Sequence, residues 1–200
     1  MAAAVESASL RVEPSLQEAR ELARDYNVIA LRNRFLDDCE TPVSAFLKLR
    51  GLNPQFPAFL LESAEQGQRV GRYSFLGLRP RKVIRWSLGD PGDPYAIAAE
   101  EVARHRQAPF ADMPPFAGGA VGYFGYDLVR TVEPLGDPNP DALGLPDMAL
   151  MLSDVLVVFD HLRHEISVIA NVYAEDAGEV EQGYADALAT IQKARDLLAG

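Results

Sequence analysis

Cysteine is all but missing from the 200-residue chain: Cys39 stands alone, which rules out an internal disulfide and any multi-cysteine metal site and makes a reducing compartment the natural setting. Its acidic neighbours Asp37, Asp38 and Glu40 argue weakly against a catalytic thiolate. Histidine is scarce too, with three residues, and the HExxH, GxSxG and GxxxxGK[ST] patterns are all absent. Basic residues are outnumbered, 19 against 29 acidic, and the net charge of -10 excludes a generic attraction to nucleic acid or anionic membranes. No run of about eighteen apolar residues is free of charge, and MAAAVESASL lacks a basic start followed by an apolar stretch, so neither a membrane span nor secretion is expected. The expected location is the cytoplasm. No repeat of solenoid period is visible.

What is present suits a folded domain. The hydrophobic fraction, 48%, is ample for a core. PSLQEARELAR, 14–24, reads as a short helix, and YNVIALRNRF, Tyr26 to Phe35, as a strand. Thr41 and Pro42 suit an N-cap and first helical position, with Gly51 placed to stop that helix. Two extended segments follow, Arg72 to Leu78 and Lys82 to Leu88. Asp93 and Pro94 then cap and begin a helix expected to reach about Gln107, with His105 on its polar end. GGAVGYFGYD is a glycine-interrupted strand, and MLSDVLVVFD and HEISVIANVY form an antiparallel hairpin across Asp160 to His164. Residues 179–200 have helical spacing in Tyr184, Leu188, Ile191, Ala194 and Leu198. The pattern predicts α+β: mostly antiparallel strands, six to eight of them, flanked by helices. The expected organisation is one domain over 1–200, with a core over about 26–175 and a closing helix over 179–199.

The richest chemistry lies in FLLESAEQGQRVGRYSFLG, Phe59 to Gly77. Glu62 and Ser63 end one apolar run; Arg72, Tyr73 and Ser74 begin the next. A free amino acid needs an acceptor for its ammonium, a donor for its carboxylate and a dry slot for its side chain, and two neighbouring strands can supply all three. The plainer alternative is that Glu62 and Ser63 open a surface turn and Arg72 pairs with any carboxylate. Asp160, His161, His164 and Glu165 could in principle hold a metal, but a solvated turn accounts for them better. Gly118, Gly119, Gly122 and Gly125 open no helix and read as sites of close backbone packing rather than a nucleotide loop. No pair of carboxylates is distinguished by its setting, and no residue is assigned a catalytic role.

Taken in order, TPVSAFLKL, FLLES, GRYSFLG, GGAVGYFGYDLVR and DVLVVFDHLRHEISVIANVY resemble the amino-terminal domain of the anthranilate synthase component I family, within the chorismate-utilising enzymes. FLLES followed by RYSF is the more specific element, whereas GGAVGYFGYD is shared with aminodeoxychorismate synthase and isochorismate-forming relatives. The resemblance implies one half of the αββα architecture of that superfamily. It also implies an intact enzyme that converts chorismate and ammonia, the latter from a glutamine amidotransferase subunit (component II), into anthranilate and pyruvate with Mg2+. The chorismate and Mg2+ residues would lie in a carboxy-terminal catalytic domain outside this chain, so the chain by itself is expected to be inactive and to carry no cofactor. Carried over by motif, Leu61, Glu62 and Ser63 lie at a bound L-tryptophan, Pro42 lines its indole, and Arg72, Tyr73 and Ser74 are close by, making this a feedback domain. Further walls of that pocket are expected from an Asn-Pro-x-x-Tyr-Met type segment of the catalytic domain. Without that domain, apolar surface would be left for a homodimer to cover. Two other readings stay open: an architectural domain with a non-regulatory bound tryptophan, as in aminodeoxychorismate synthase relatives, and an independent amino-acid-binding module.

Overall fold

The computed structural model describes residues 10–36, 39–51, 54–62, 71–136, 140–174 and 178–200. Its centre is a seven-stranded sheet: β1 (Val12–Glu13), β2 (Val28–Leu36), β3 (Phe59–Leu61), β4 (Tyr73–Trp86), β5 (Gly119–Phe124), β6 (Met148–Asp160) and β7 (Glu165–Tyr173). The order across it is β1-β2-β7-β6-β4-β3, with β5 also on β6, and every pairing of these strands is antiparallel. The expected antiparallel α+β class is what is observed. β6 is the spine. One edge pairs with β4 along its length, while the other pairs with β5 from Met148 to Ser153 and then with β7 from Val155 to Asp160. Asp154 therefore sits where the sheet forks.

Local chemistry starts and stops the helices. In α1 (Leu16–Leu22), Ser15 and Glu18 form a reciprocal capping box. In α2 (Pro42–Arg50), Thr41 accepts from the Ser44 amide, Pro42 occupies the first turn and Gly51 is the C-cap. Asp93 accepts from the Tyr95 amide to begin α3 (Pro94–Ala103). The last helix, α4 (Glu179–Ala199), buries Val180, Ala187, Ile191, Ala194 and Leu198, the stripe its spacing implies. Strand alternation separates two cores. One contains Ile29, Leu31, Leu76, Val157 and Val168 together with buried residues of α1, α2 and α4. The other contains Ala30, Phe59, Leu156, Val158 and Ile169, against which Met113, Phe116 and Ala117 of the proline-rich connection pack. No helix among the described residues is long and apolar enough to cross a membrane.

Two expectations need correction, and one strand was unforeseen. The two segments from Arg72 to Leu88 are one 14-residue strand, because the break at 79–81 is a bulge rather than a turn: Arg79 has φ 48°, and the register against β6 slips by one residue between Pro80 and Lys82 while β6 runs on opposite both halves. The α3 helix ends at Ala103, short of Gln107. The chain then turns so that Gln107 bridges to Val28 in parallel, which puts His105 past the helix. The two-residue strand β1 carried no readable pattern; it is held by Asn33, whose Nδ2 donates to the Arg11 carbonyl at 2.7 Å.

Candidate functional site: the β3–β4 edge

Within the Phe59 to Gly77 segment, β3 is an outer strand of the sheet, with Phe59 opposite Gly77, Leu60 opposite Leu76 and Leu61 opposite Phe75 of β4. The glycine is required: a Cβ at Gly77 would lie 1.9 Å from Phe59 Cε1. Leu61 is 46% exposed, and no hydrogen bond or ion pair joins the exposed Glu62 carboxylate to any described residue. Ser63 lies outside the described residues.

Across the edge, Arg72, Tyr73 and Ser74 do three different things. The Arg72 guanidinium is a fork on Asp160, Nε to Oδ1 at 3.0 Å and Nη2 to Oδ2 at 2.6 Å, and it covers the Tyr73 ring at 4.7 Å. The bond to Asp160 raises the Arg72 pKa further above its ordinary value. Burial works against the Asp160 carboxylate, yet the Arg72 bond and the amides of Arg163 and Leu162 outweigh it and hold its pKa below the ordinary range. Tyr73 joins an aromatic run, 5.9 Å from Phe75, which in turn meets Phe116 edge-on at 5.9 Å. Ser74 points the other way, as its place in the strand dictates. It is 2% exposed and its Oγ lies 2.8 Å from His161 Nε2.

Leu61 and Tyr73 therefore share a face, and Ser74 belongs to the opposite one. Pro42 is on Ser74's side, where it lines a cleft of about 330 Å³ with Phe159, His161 and Ile166. Of the seven residues singled out by sequence, the six that are described are not gathered into one pocket: Leu61 and Tyr73 lie on one face of the sheet, Ser74 and Pro42 on the other. Asp160 and His161, which sequence left in a solvated turn, are the residues that lock this strand start. Their only mark in the sequence is the polar DHLRH stretch; nothing local says that it meets residues 88 positions away. Among the described residues, no group of three or more His, Cys, Asp or Glu is placed to hold a metal ion. A separate cavity of about 200 Å³, lined by Val28, His105, Gln107, Gly118 and Tyr173 among others, contains none of the seven.

A forked antiparallel sheet flanked by helices, with α1, α2 and α4 on one face and α3 against Trp86, Met148 and Leu150, is the kind of half-domain found in chorismate-utilising enzymes. No protein-family model matches the sequence. The chain is 35% identical over 192 residues to anthranilate synthase component 1 of Acetivibrio thermocellus, covering 90% of this chain and 38% of that protein. It is 41% identical over 182 residues to the Aquifex aeolicus protein of the same name, covering 84% and 36%. The crystal structure of anthranilate synthase component I from Streptococcus pneumoniae superimposes with a TM-score of 0.52 at 26% identity, over 83% of this chain and 36% of that one. The chain belongs to the anthranilate synthase component I family, and it spans little more than a third of the length of these relatives.

Proposed function

We propose that the chain is the amino-terminal, tryptophan-binding feedback domain of an anthranilate synthase component I. In this reading the intact cytoplasmic enzyme makes anthranilate and pyruvate from chorismate and ammonia supplied by a glutamine amidotransferase subunit. Mg2+ and chorismate are held by a separate catalytic domain, and this chain alone is inactive. The observation that carries the reading is the exposed Glu62 carboxylate, bonded to none of the described residues and next in the chain to exposed Leu61, which lies opposite Phe75 of the Tyr73–Phe75 aromatic pair. An ammonium and an indole need that combination of acceptor and apolar wall. Arg72 is oriented by its fork on Asp160 and shapes the Tyr73 wall, while the ligand carboxylate turns to hydroxyl or amide donors such as Ser63. Ser74 and Pro42 act from behind the strand.

Calorimetry of the full chain with L-tryptophan, against L-phenylalanine and chorismate, tests this. Selective tryptophan binding, weakened at least about tenfold (about 1.4 kcal/mol) by Glu62→Ala, is expected. Binding that ignores Glu62→Ala would remove that residue from the site, and tryptophan that copurifies and never exchanges would favour the architectural reading. In the intact enzyme Glu62→Ala should relieve inhibition and spare uninhibited turnover, because the effector acts only through its preference between two states.

A further inference from the structure

We propose that the β6–β7 turn, through Asp160 and His161, is the positioning element of the tryptophan edge: it sets how Arg72, Tyr73 and Ser74 are presented, and thereby the affinity of the site, without touching the ligand. The inference rests on the tryptophan reading above.

Three ties converge on the start of β4. Asp160 grips the Arg72 guanidinium with both oxygens, the His161 amide donates to the Arg72 carbonyl at 2.8 Å, and the His161 imidazole meets the buried Ser74 hydroxyl at 2.8 Å. These ties are needed because β3 is short. Among the described residues it pairs with β4 only from Phe75 to Gly77, and none of them pairs with Arg72, Tyr73 or Ser74 on the outer side. On the inner side, Tyr73 lies opposite Asp160 and Ser74 opposite Phe159, and the backbone bond from His161 extends that ladder by one residue.

The turn is itself stiff. Asp160 Oδ1 accepts from the Leu162 and Arg163 amides at 3.1 and 3.3 Å, Arg163 Nη1 is tied to Asp112 at 2.8 Å, and the His161 ring lies over Phe159 with centroids 6.3 Å apart. One carboxylate thus both builds the turn and orients the guanidinium that covers Tyr73. A site on a sheet edge holds its geometry only as well as the shell behind it does, and here that shell comes from residues far along the chain. Asp160 and His161 are positioning residues. The Ser74 hydroxyl can donate to the imidazole nitrogen or accept from it, according to the tautomer.

The test compares His161→Leu, His161→Gln, Asp160→Asn and Leu162→Ala in the full chain. Leu162 is 57% exposed in the same turn and serves as the control. L-Tryptophan affinity is read by calorimetry, melting temperature by calorimetric scan, and hydrogen exchange at residues 72–75 against 168–170 by NMR. His161→Leu and Asp160→Asn should weaken tryptophan by about tenfold or more. They should speed exchange at 72–75 and leave 168–170 protected, since local opening need not follow global stability. His161→Gln, which returns a polar nitrogen near the Nε2 position, should recover most of the affinity, and Leu162→Ala should match the parent. Parental affinity in His161→Leu and Asp160→Asn would overturn the proposal, as would a loss that His161→Gln fails to rescue. Should the parent chain bind no tryptophan, the functional reading falls, and exchange alone decides this one: unchanged protection at 72–75 in His161→Leu overturns it.

Discussion

Asp154 and Asp160 stand in the same strand with side chains of similar exposure, 19% and 12%, yet their carboxyl groups are driven in opposite directions. At Asp154 burial dominates and pushes the pKa up; Arg79, 3.9 Å away, and Arg81 pull it back only in part, and one carboxylate oxygen is buried without a hydrogen bond. At Asp160 burial also opposes the charge, but a guanidinium fork and two turn amides outweigh it. The difference is one of geometry. A planar bidentate donor and two aimed amides replace the lost water, whereas a cation at the limit of ion-pair distance does not. Asp160 closes the ladder at the candidate site, and Asp154 occupies the fork where β6 exchanges β5 for β7.

The two ends can be set against each other by mutation, beginning with their glycines. A Cβ at Gly122 would lie 1.9 Å from the Ala149 carbonyl oxygen and 2.8 Å from Leu150 Cα, both backbone atoms of β6. At Gly77 the obstacle is the Phe59 ring, which a mutation can remove. Gly122→Ala should cost about 3 kcal/mol and Gly77→Ala about 2–3 kcal/mol in chemical denaturation, the usual scale of overpacking. Adding Phe59→Leu should recover part of the loss at Gly77, whereas Gly122→Ala offers no side chain to trim. Full relief of Gly122→Ala by a side-chain substitution would break the contrast.

Next in size is Asp160→Asn, expected to cost about 1–2 kcal/mol at pH 7, the range for a hydrogen bond to a charged group. Because the folded pKa is lowered, the parent's advantage is present above the ordinary carboxylate value of about 4 and is lost as pH falls through the folded one. Melting curves of both proteins should therefore converge on the acid side. The smallest effect has the opposite sign. The folded pKa of Asp154 is raised, so the contribution of its neutral form is present below about pH 4 and is lost as pH rises through the folded value. Asp154→Asn should raise the melting temperature at pH 7, by about 1 kcal/mol or less in stability, with the difference fading below about pH 4. Destabilisation by Asp154→Asn at neutral pH would mean that Arg79 and Arg81 compensate the charge after all.

Much of this fold was legible because its punctuation is local. Thr41, Pro42 and Gly51 bound α2, Asp93 and Pro94 open α3, and the apolar stripe of α4 repeats with helical period. The candidate site was legible in composition and less so in arrangement. Tyr73 and Ser74 are adjacent in a strand and must face opposite sides, a period-two argument available from sequence, yet composition alone suggested one pocket for both. The break at 79–81 divided two extended segments in the sequence because the same residue types build turns and bulges. Only the uninterrupted β6 alongside distinguishes the two.

By itself the sequence determined the α+β class, the helix boundaries set by caps, the β6–β7 hairpin, the acidic balance and, through FLLES and RYSF, the family. These depend on side chains a few positions apart or on motifs read as strings. Tertiary structure decided that Arg72 forks onto Asp160, that Ser74 is turned to His161, and that two aspartates of one strand are driven apart. Each of those outcomes depends on which distant backbone is laid alongside and on how many donors it aims at a desolvated carboxylate or hydroxyl, and that is a property of sheet register rather than of neighbouring residues.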